Sequence, residues 1–155
     1  MQSLQTVQNP ESKLEELGLT LAPVRTAVGN YVSCVRTGSL LFTSGQGVDQ
    51  YHGKLGRELT IEEGYLAAQQ SMLNLLSVVK QELGELSRVK RVVKILGMVN
   101  CTEDFTATPQ VMNGASDLLV QVFGEKGKHA RSAVGMAQLP NNTAIEIEMI
   151  LEIGE

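Results

Sequence analysis

Apolar and polar residues alternate along residues 145–153, near the end of the chain, and only Ile150 breaks the alternation. A period of two is typical of a β-strand with one buried face, so a final strand is predicted over residues 143–153. Residues 88–99 are apolar on both sides instead. That pattern predicts a central strand that is covered on both faces.

Two shorter apolar segments, residues 31–36 and 40–44, flank Thr37-Gly38-Ser39. A short link that contains glycine favours a β-hairpin. Residues 132–138 predict one further strand, which we expect to lie beside the final strand because only residues 139–142 separate them.

Apolar residues with helical spacing follow Thr60, which can cap a helix together with Glu63 in the capping-box position. Gly84 is a typical residue for the end of this long helix. The apolar stripe that would cover a sheet consists of Leu66, Leu73, Leu76, Val79 and Leu83, widened by Ala68, Met72 and Leu75.

Two more helices are predicted on either side of this one. Asn9 and Pro10 suit the start of a short first helix. Thr108 as cap and Pro109 as first residue suit the start of a second long helix, which would end at Gly124. Its apolar stripe consists of Val111, Met112, Ala115, Leu118, Leu119, Val122 and Phe123.

The predicted order of elements, α-ββ-α-β-α-ββ, favours an α+β fold in a single domain over residues 1–155. We expect one mixed sheet with the two long helices on one face. Two helices cannot cover both faces of a sheet, so the open face is expected to associate with further copies of the chain. The sequence therefore predicts a homo-oligomer.

Composition narrows the classes of function. Hydrophobic residues make up 43% of the 155 residues and the net charge is −4, which is typical of a globular protein. No block of Lys and Arg gives a basic face, so we expect no nucleic-acid partner. No apolar stretch reaches about 18 residues, and residues 1–16 lack the apolar core of a signal peptide, so we expect no membrane partner.

Cys34 and Cys101 stand far apart without a metal-binding or disulfide spacing, and we interpret them as reduced thiols of a cytoplasmic protein. His52 and His129 have no second ligand nearby in the sequence. We therefore expect no metal site.

Arg131 and Glu146 are the candidate reactive pair. A guanidinium at the head of a strand offers a planar, permanently charged set of donors to a small carboxylate. If their strands are neighbours, Glu146 would share a cleft with Arg131. The alternatives are a surface arginine in a weak ion pair and a solvated polar strand face.

Ser44 and Tyr31 are further candidates at strand ends. Ser44 lies in Thr43-Ser44-Gly45-Gln46-Gly47, which matches neither a phosphate-binding loop nor the Gly-x-Ser-x-Gly motif of esterases. Tyr31 precedes the first predicted strand, where a tyrosine more often packs than catalyses.

Several segments together resemble the Rid family, the YjgF-type reactive intermediate deaminases, from about residue 28 to residue 153. They are Gly29-Asn30-Tyr31-Val32, Leu41-Phe42-Thr43-Ser44-Gly45-Gln46, Arg88-Val89-Lys90-Arg91-Val92, Ala130-Arg131-Ser132-Ala133-Val134, Leu139-Pro140 and Ile145-Glu146-Ile147-Glu148. The resemblance implies a chorismate-mutase-like fold and a homotrimer with ligand clefts between subunits.

The resemblance also implies an activity without metal or organic cofactor: hydrolysis of enamine and imine intermediates of the 2-aminoacrylate type to 2-keto acids and ammonia. Arg131 would hold the carboxylate of a small metabolite, and Glu146 would position or activate water. Tyr31 and Ser44 would line the cleft, and the backbone of Ala133 would bind the substrate.

The chain departs from the family pattern at four places. Ala133 stands where deaminases carry cysteine, and Asn30 replaces a proline. Residues 1–27 form an N-terminal extension with the short helix, and residues 49–59 form a longer loop. These departures keep open a second function, a non-catalytic trimer that binds or senses keto acids. A third interpretation, a ribonuclease, is disfavoured by the acidic balance.

Overall fold

The computed structural model describes residues 9–27 and 29–154. Within these ranges the elements follow the predicted order: α1 (Pro10–Glu16), β1 (Cys34–Thr37), β2 (Leu40–Thr43), α2 (Ile61–Leu83), β3 (Val89–Asn100), α3 (Thr108–Phe123), β4 (Ala130–Met136) and β5 (Ile145–Ile153). The predicted α+β class is confirmed. Residue 28, where the family resemblance begins, lies outside the described residues.

The five strands form one mixed sheet in the order β1-β2-β5-β3-β4. Strands β3 and β4 are parallel, and all other neighbours are antiparallel. Helix α3 is the crossover that a parallel pair requires. The expectation that the last two strands are neighbours is wrong, because β3 lies between them. The link of residues 137–144 passes the end of β3, where Asn100 N donates to Ala144 O (2.9 Å).

Helices α2 and α3 pack against each other and cover one face of the sheet, as predicted. A side chain at Gly114 would collide with the carbonyl of Tyr65, so the two helices approach closely there. The apolar stripe of α3 is buried throughout. The stripe of α2 is confirmed except for Leu66, which is 48% exposed on the outer side of the helix.

Helix starts follow the predicted chemistry in two of three cases. Asn9 Oδ1 accepts from Ser12 N (2.7 Å), and Thr60 with Glu63 forms a complete capping box. Thr108 is not the cap of α3. It is the first residue of the helix, and its hydroxyl donates to Ala133 O (3.0 Å) and so ties α3 to β4.

The other face of the sheet is open in the single chain. Val35 and Phe42, which are paired across β1 and β2, are 54% and 38% exposed, and Val134 on β4 is 40% exposed. Strand β3 buries Ile95 against the helices, whereas Leu96 on its other side is only half-buried. No described residue of the same chain provides the cover that was predicted for this second side of β3.

Candidate active site

A hollow of about 470 Å³ lies where β5 begins, and we call it the Glu146 hollow. Its walls come from residues 25–27, Tyr31, Ser33, residues 45–49 and the start of β5 with the link before it. Strand β2 ends at Thr43, and the chain meets β5 again at Gln46, whose backbone exchanges two hydrogen bonds with Ile147 (3.0 and 3.2 Å). The segment that passes Glu146 is therefore fixed at both ends.

Gly45 lies directly against the carboxyl group of Glu146. A Cβ atom at residue 45 would lie 2.9 Å from Glu146 Cδ and 3.0 Å from Glu146 Cγ. These distances are too short for carbon atoms, so any larger residue would displace the carboxyl group. The absence of a side chain at Gly45 sets the position of Glu146.

The carboxyl group of Glu146 is half-buried on the open face of the sheet. Burial raises the pKa of Glu146 above its usual range, and the negative charge of Glu148, two residues along the same face, raises this pKa further. A carboxyl group with a raised pKa exchanges a proton with bound water more readily near neutral pH. Glu146 thus has the environment of a general acid or base.

Tyr31 and Ser44 occupy different positions relative to the hollow. Tyr31 lines it and is 51% exposed. Ser44 is not among the lining residues, because its hydroxyl donates to Val32 O (2.6 Å) and its backbone N–H donates to Ser33 O (2.8 Å). In the single chain Ser44 therefore supports the Tyr31 segment from behind, and its place in a cleft shared between subunits stays a prediction.

Arg25 is a lining residue that sequence reasoning missed. Its guanidinium donates to Gly47 O (3.0 Å) and to Asp49 Oδ1 (2.8 Å), and so joins the N-terminal segment to the 45–49 loop. Asp49 and His52, both from the predicted longer loop, also line the hollow. No periodicity or motif marks these residues, and their place follows only from the path of the chain.

Arg131 lies on β4, the edge strand, and its guanidinium rests on α3. It donates to Asn113 Oδ1 (2.9 Å), to Ser116 Oγ (3.1 Å) and more weakly to Pro109 O (3.4 Å). Among the described residues none of its hydrogen-bond partners is a carboxylate, and it forms no ion pair. The alternative of an arginine in a surface ion pair is thus not observed, and the charge is available to an anion.

Ala133 lies two residues further along β4 on the same side as Arg131. Its carbonyl accepts from Thr108 Oγ1 (3.0 Å), and its side chain packs partly against the core. Since β4 is an edge strand, alternate N–H groups of its backbone point away from the sheet. We call Arg131 and Ala133 together the Arg131 edge.

The Glu146 hollow and the Arg131 edge do not meet within one chain. On β3, Ile95 is paired with Arg131 of β4 and with Met149 of β5. Glu146 of β5 is paired with Met98, three residues further along β3. Two strand spacings, about 10 Å, and three residues, about 10 Å along the strands, therefore separate them. An odd offset also places the side chains on opposite faces, because successive side chains of a strand alternate.

Neither region resembles a metal centre or a membrane anchor. In residues 9–27 and 29–154 no group of three or more His, Cys, Asp or Glu side chains is placed to hold a metal ion. No helix within the same ranges has the length and apolar character needed to cross a membrane.

Comparison with known proteins identifies relatives that share most of the chain. Protein TCP17 of Trypanosoma cruzi is 43% identical and the match covers 92% of both chains. A 2-iminobutanoate/2-iminopropanoate deaminase of Dermatophagoides farinae is 31% identical, over 81% of this chain and 88% of the relative.

Solved structures agree with this result. A protein from Shewanella oneidensis described as a "putative endoribonuclease" is 37% identical, with a TM-score of 0.91 over 94% of this chain and 100% of that one. A protein of unknown function from Agrobacterium tumefaciens is 40% identical, with a TM-score of 0.88 over 94% and 92% of the two chains. Residues 11–153 match the family described as "YjgF/chorismate mutase-like, putative endoribonuclease". The chain belongs to the YjgF/chorismate mutase-like family.

Proposed function

We propose that the protein hydrolyses enamine and imine intermediates of the 2-aminoacrylate type to 2-keto acids and ammonia. One observation carries the proposal. Arg131, a guanidinium without a carboxylate partner among the described residues, and Glu146, a half-buried carboxyl group with a raised pKa, occur on one small fold. The first binds the substrate carboxylate and the second handles protons of water. The relative from Dermatophagoides farinae bears the name of such a deaminase.

The reaction needs few groups, because the carbon atom of an imine is already electrophilic. Water adds its oxygen to this carbon and passes one proton to Glu146, which delivers it to the nitrogen to give a carbinolamine. Glu146 then takes the hydroxyl proton and passes it to the NH2 group, so that the C=O bond forms as the C–N bond breaks and ammonia leaves. Arg131 fixes the carboxylate, and a backbone N–H of the Arg131 edge holds the substrate beside Tyr31.

The proposal places this cleft between two subunits of a homotrimer, with the Glu146 hollow from one subunit and the Arg131 edge from its neighbour. Two observations support it. The two regions lie on opposite faces of the sheet in one chain. The open face also exposes apolar side chains, such as Val35, Phe42 and Val134, that association would bury.

Ammonia release from imines that an amino-acid oxidase generates in situ tests the proposal. The wild type should accelerate release, and Arg131→Ala should lower kcat/KM by at least about 100-fold, because a charge-assisted bidentate contact is lost. Arg36→Ala is the matched control, since Arg36 is an exposed arginine on β1 outside both regions. Wild-type protein without effect on a panel of imino acids would refute the proposal.

A second function, binding of keto acids without catalysis, is favoured by Ala133. Deaminases of the Rid family carry cysteine at this position. The hydroxyl of Ser44 already donates a hydrogen bond to Val32 O. Calorimetry with 2-ketobutanoate separates the two functions. A binding protein would show no turnover as wild type, and Glu146→Gln would leave its affinity unchanged.

A cytoplasmic location is part of the same proposal. Cys34 and Cys101, the two cysteines of the chain, are both free thiols, which suits a reducing compartment. Fluorescence imaging of a tagged chain tests this location.

A further inference from the structure

The groups that hold Arg131 are also in contact with a half-buried histidine, His129. Pro109, Asn113 and Ser116 stand four and three residues apart, so they lie along one face of α3. Ser116 Oγ lies 3.1 Å from Arg131 Nη1 and also 2.9 Å from His129 Nε2. The hydroxyl of Ser116 is therefore the only link, among the described residues, that joins the guanidinium to the imidazole.

The protonation state of His129 follows from its other contact. His129 Nδ1 lies 2.6 Å from Gly127 O, and a carbonyl oxygen only accepts, so Nδ1 carries the hydrogen. In the neutral ring Nε2 is then an acceptor. Ser116 donates its one hydrogen to Nε2 and turns its lone pairs toward Arg131.

A protonated His129 would reverse this arrangement. Nε2–H would donate to Ser116 Oγ, so the Ser116 hydrogen would lose its acceptor and Arg131 would share the oxygen with a second, charged donor. It would also place a second positive charge one hydroxyl group away from the guanidinium. Burial lowers the pKa of His129 below its usual range, and the positive charge of Arg131 lowers it further, whereas the contact with Gly127 O acts in the opposite direction.

The other charged groups around His129 favour the neutral ring as well. It borders a shallow hollow whose charged residues are Lys90, Arg91, Lys128 and Glu152. Arg91 Nη2 also donates to Lys128 O (2.8 Å), which keeps a further cation close to the histidine segment. Glu125 forms an ion pair with Lys128 (2.7 Å). Three cations against two carboxylates still leave a net positive charge, which opposes the gain of a proton.

We propose that Ser116 and His129 are positioning residues, and that neutral His129 makes Ser116 an acceptor that holds Arg131 ready for a carboxylate. This inference rests on the proposed role of Arg131 as the carboxylate anchor. Carboxylate binding should then weaken as His129 gains its proton in acid. The opposing attraction between a protonated His129 and the ligand is weaker, because the ligand lies beyond the guanidinium and its charge is screened by solvent.

The contact between the two side chains is tested without any ligand by NMR. The chain has two histidines, so the ring signals are few, and His52→Gln identifies the signal of His129. The wild type should show the Nδ1–H tautomer at neutral pH. Arg131→Gln should move the titration midpoint of His129 to higher pH, because a neighbouring cation is removed. An Nε2–H tautomer or an unchanged midpoint would overturn the inference.

The positioning role is tested by the affinity for 2-ketobutanoate between about pH 5 and about pH 8, the range in which an imidazole titrates. Wild-type affinity should fall in acid along the His129 titration. Ser116→Ala should bind about fivefold more weakly at neutral pH, as expected for a lost charge-assisted hydrogen bond, and should lose the acid dependence. Asn113→Ala is the matched control: it also removes a partner of Arg131, but it should keep the acid dependence because Asn113 does not contact His129.

His129→Gln provides a second test if Ser116→Ala fails to fold. Glutamine cannot gain a proton, so the acid dependence should disappear. Tighter binding in acid, or a Ser116→Ala protein with wild-type affinity and pH profile, would overturn the inference while leaving the hydrolysis intact. Absence of ammonia release, together with acid-sensitive binding that depends on Ser116, would refute only the proposed hydrolysis.

Discussion

The Glu146 hollow and the Arg131 edge hold their charged groups in different ways. Glu146 is placed by backbone, because Gly45 lies against it and Gln46 is bonded to β5 on one side of it. Arg131 is placed by side chains of a single helix, Asn113 and Ser116. Backbone contacts in a sheet do not depend on protonation, whereas hydrogen bonds between side chains can rearrange when one of the side chains gains a proton.

The two regions also differ in what their environment does to charge. The carboxyl group of Glu146 is half-buried beside Glu148, and its pKa rises. The guanidinium of Arg131 is always charged, and its described partners are neutral. A group whose proton is easily exchanged suits catalysis, and a permanent cation suits anchoring. In the proposed reaction Glu146 therefore handles protons and Arg131 anchors the carboxylate.

The largest effect is expected where the two regions would be brought together. Phe42→Lys places a charge in the exposed apolar part of the open face, where Phe42 is paired with Val35 and Ile150. We expect analytical ultracentrifugation to show single chains in place of the proposed trimers, and ammonia release to be lost with the proposed shared cleft. Leu66→Lys, at an exposed leucine on the outer side of α2, should change neither. A fully active single-chain Phe42→Lys protein would contradict the shared cleft.

A smaller effect should follow from disturbing the hollow alone. Gly45→Ala introduces a Cβ atom 2.9 Å from Glu146 Cδ, so the carboxyl group must move. We expect kcat to fall by about tenfold or more with little change in keto-acid affinity, since a displacement of about 1 Å is costly in catalysis. In a Glu146→Ala background the same change should have no further effect, because the colliding atoms are gone. Additive losses would show that Gly45 acts elsewhere.

The smallest effect concerns stability. The folded-state pKa of Glu146 is raised, so its contribution to stability is complete below the unfolded-state pKa and is lost as the pH rises through the folded-state pKa. Glutamine has no charge to bury. Glu146→Gln should therefore raise Tm by about 1–3 °C near pH 8, and the gain should vanish near about pH 4. Glu152→Gln, at an exposed position of the same strand face, should give no such pH dependence.

Much of the fold could be predicted because its signals are local. Asn9, Thr60 and Glu63 cap helices by contacts within three residues of themselves. The strand order could not be predicted, because periodicity reports burial of a face and not the identity of the neighbouring strand. The prediction of Thr108 as a helix cap was wrong for a similar reason, because its hydroxyl donates to Ala133 O, which is distant in the sequence.

The candidate site divides in the same way. Arg131 and Glu146 were found from residue type, strand position and family resemblance. Their separation by β3 was not predicted, because the short link between β4 and β5 suggested that these two strands are neighbours. Arg25 reaches the hollow through the path of residues 19–27, which have no periodic pattern. Gly45 matters through a contact with Glu146, which is 101 residues away in the sequence, and no local pattern predicts this contact.

The central claim is that a working cleft combines Glu146 of one subunit with Arg131 of another. Co-expression of Glu146→Gln and Arg131→Ala chains in equal amounts, each inactive alone, tests it by ammonia release. In randomly mixed trimers about a quarter of the interfaces would pair an intact hollow with an intact edge. Recovery of about a quarter of wild-type activity is therefore expected, whereas mixed trimers without any recovery would contradict a cleft shared between subunits.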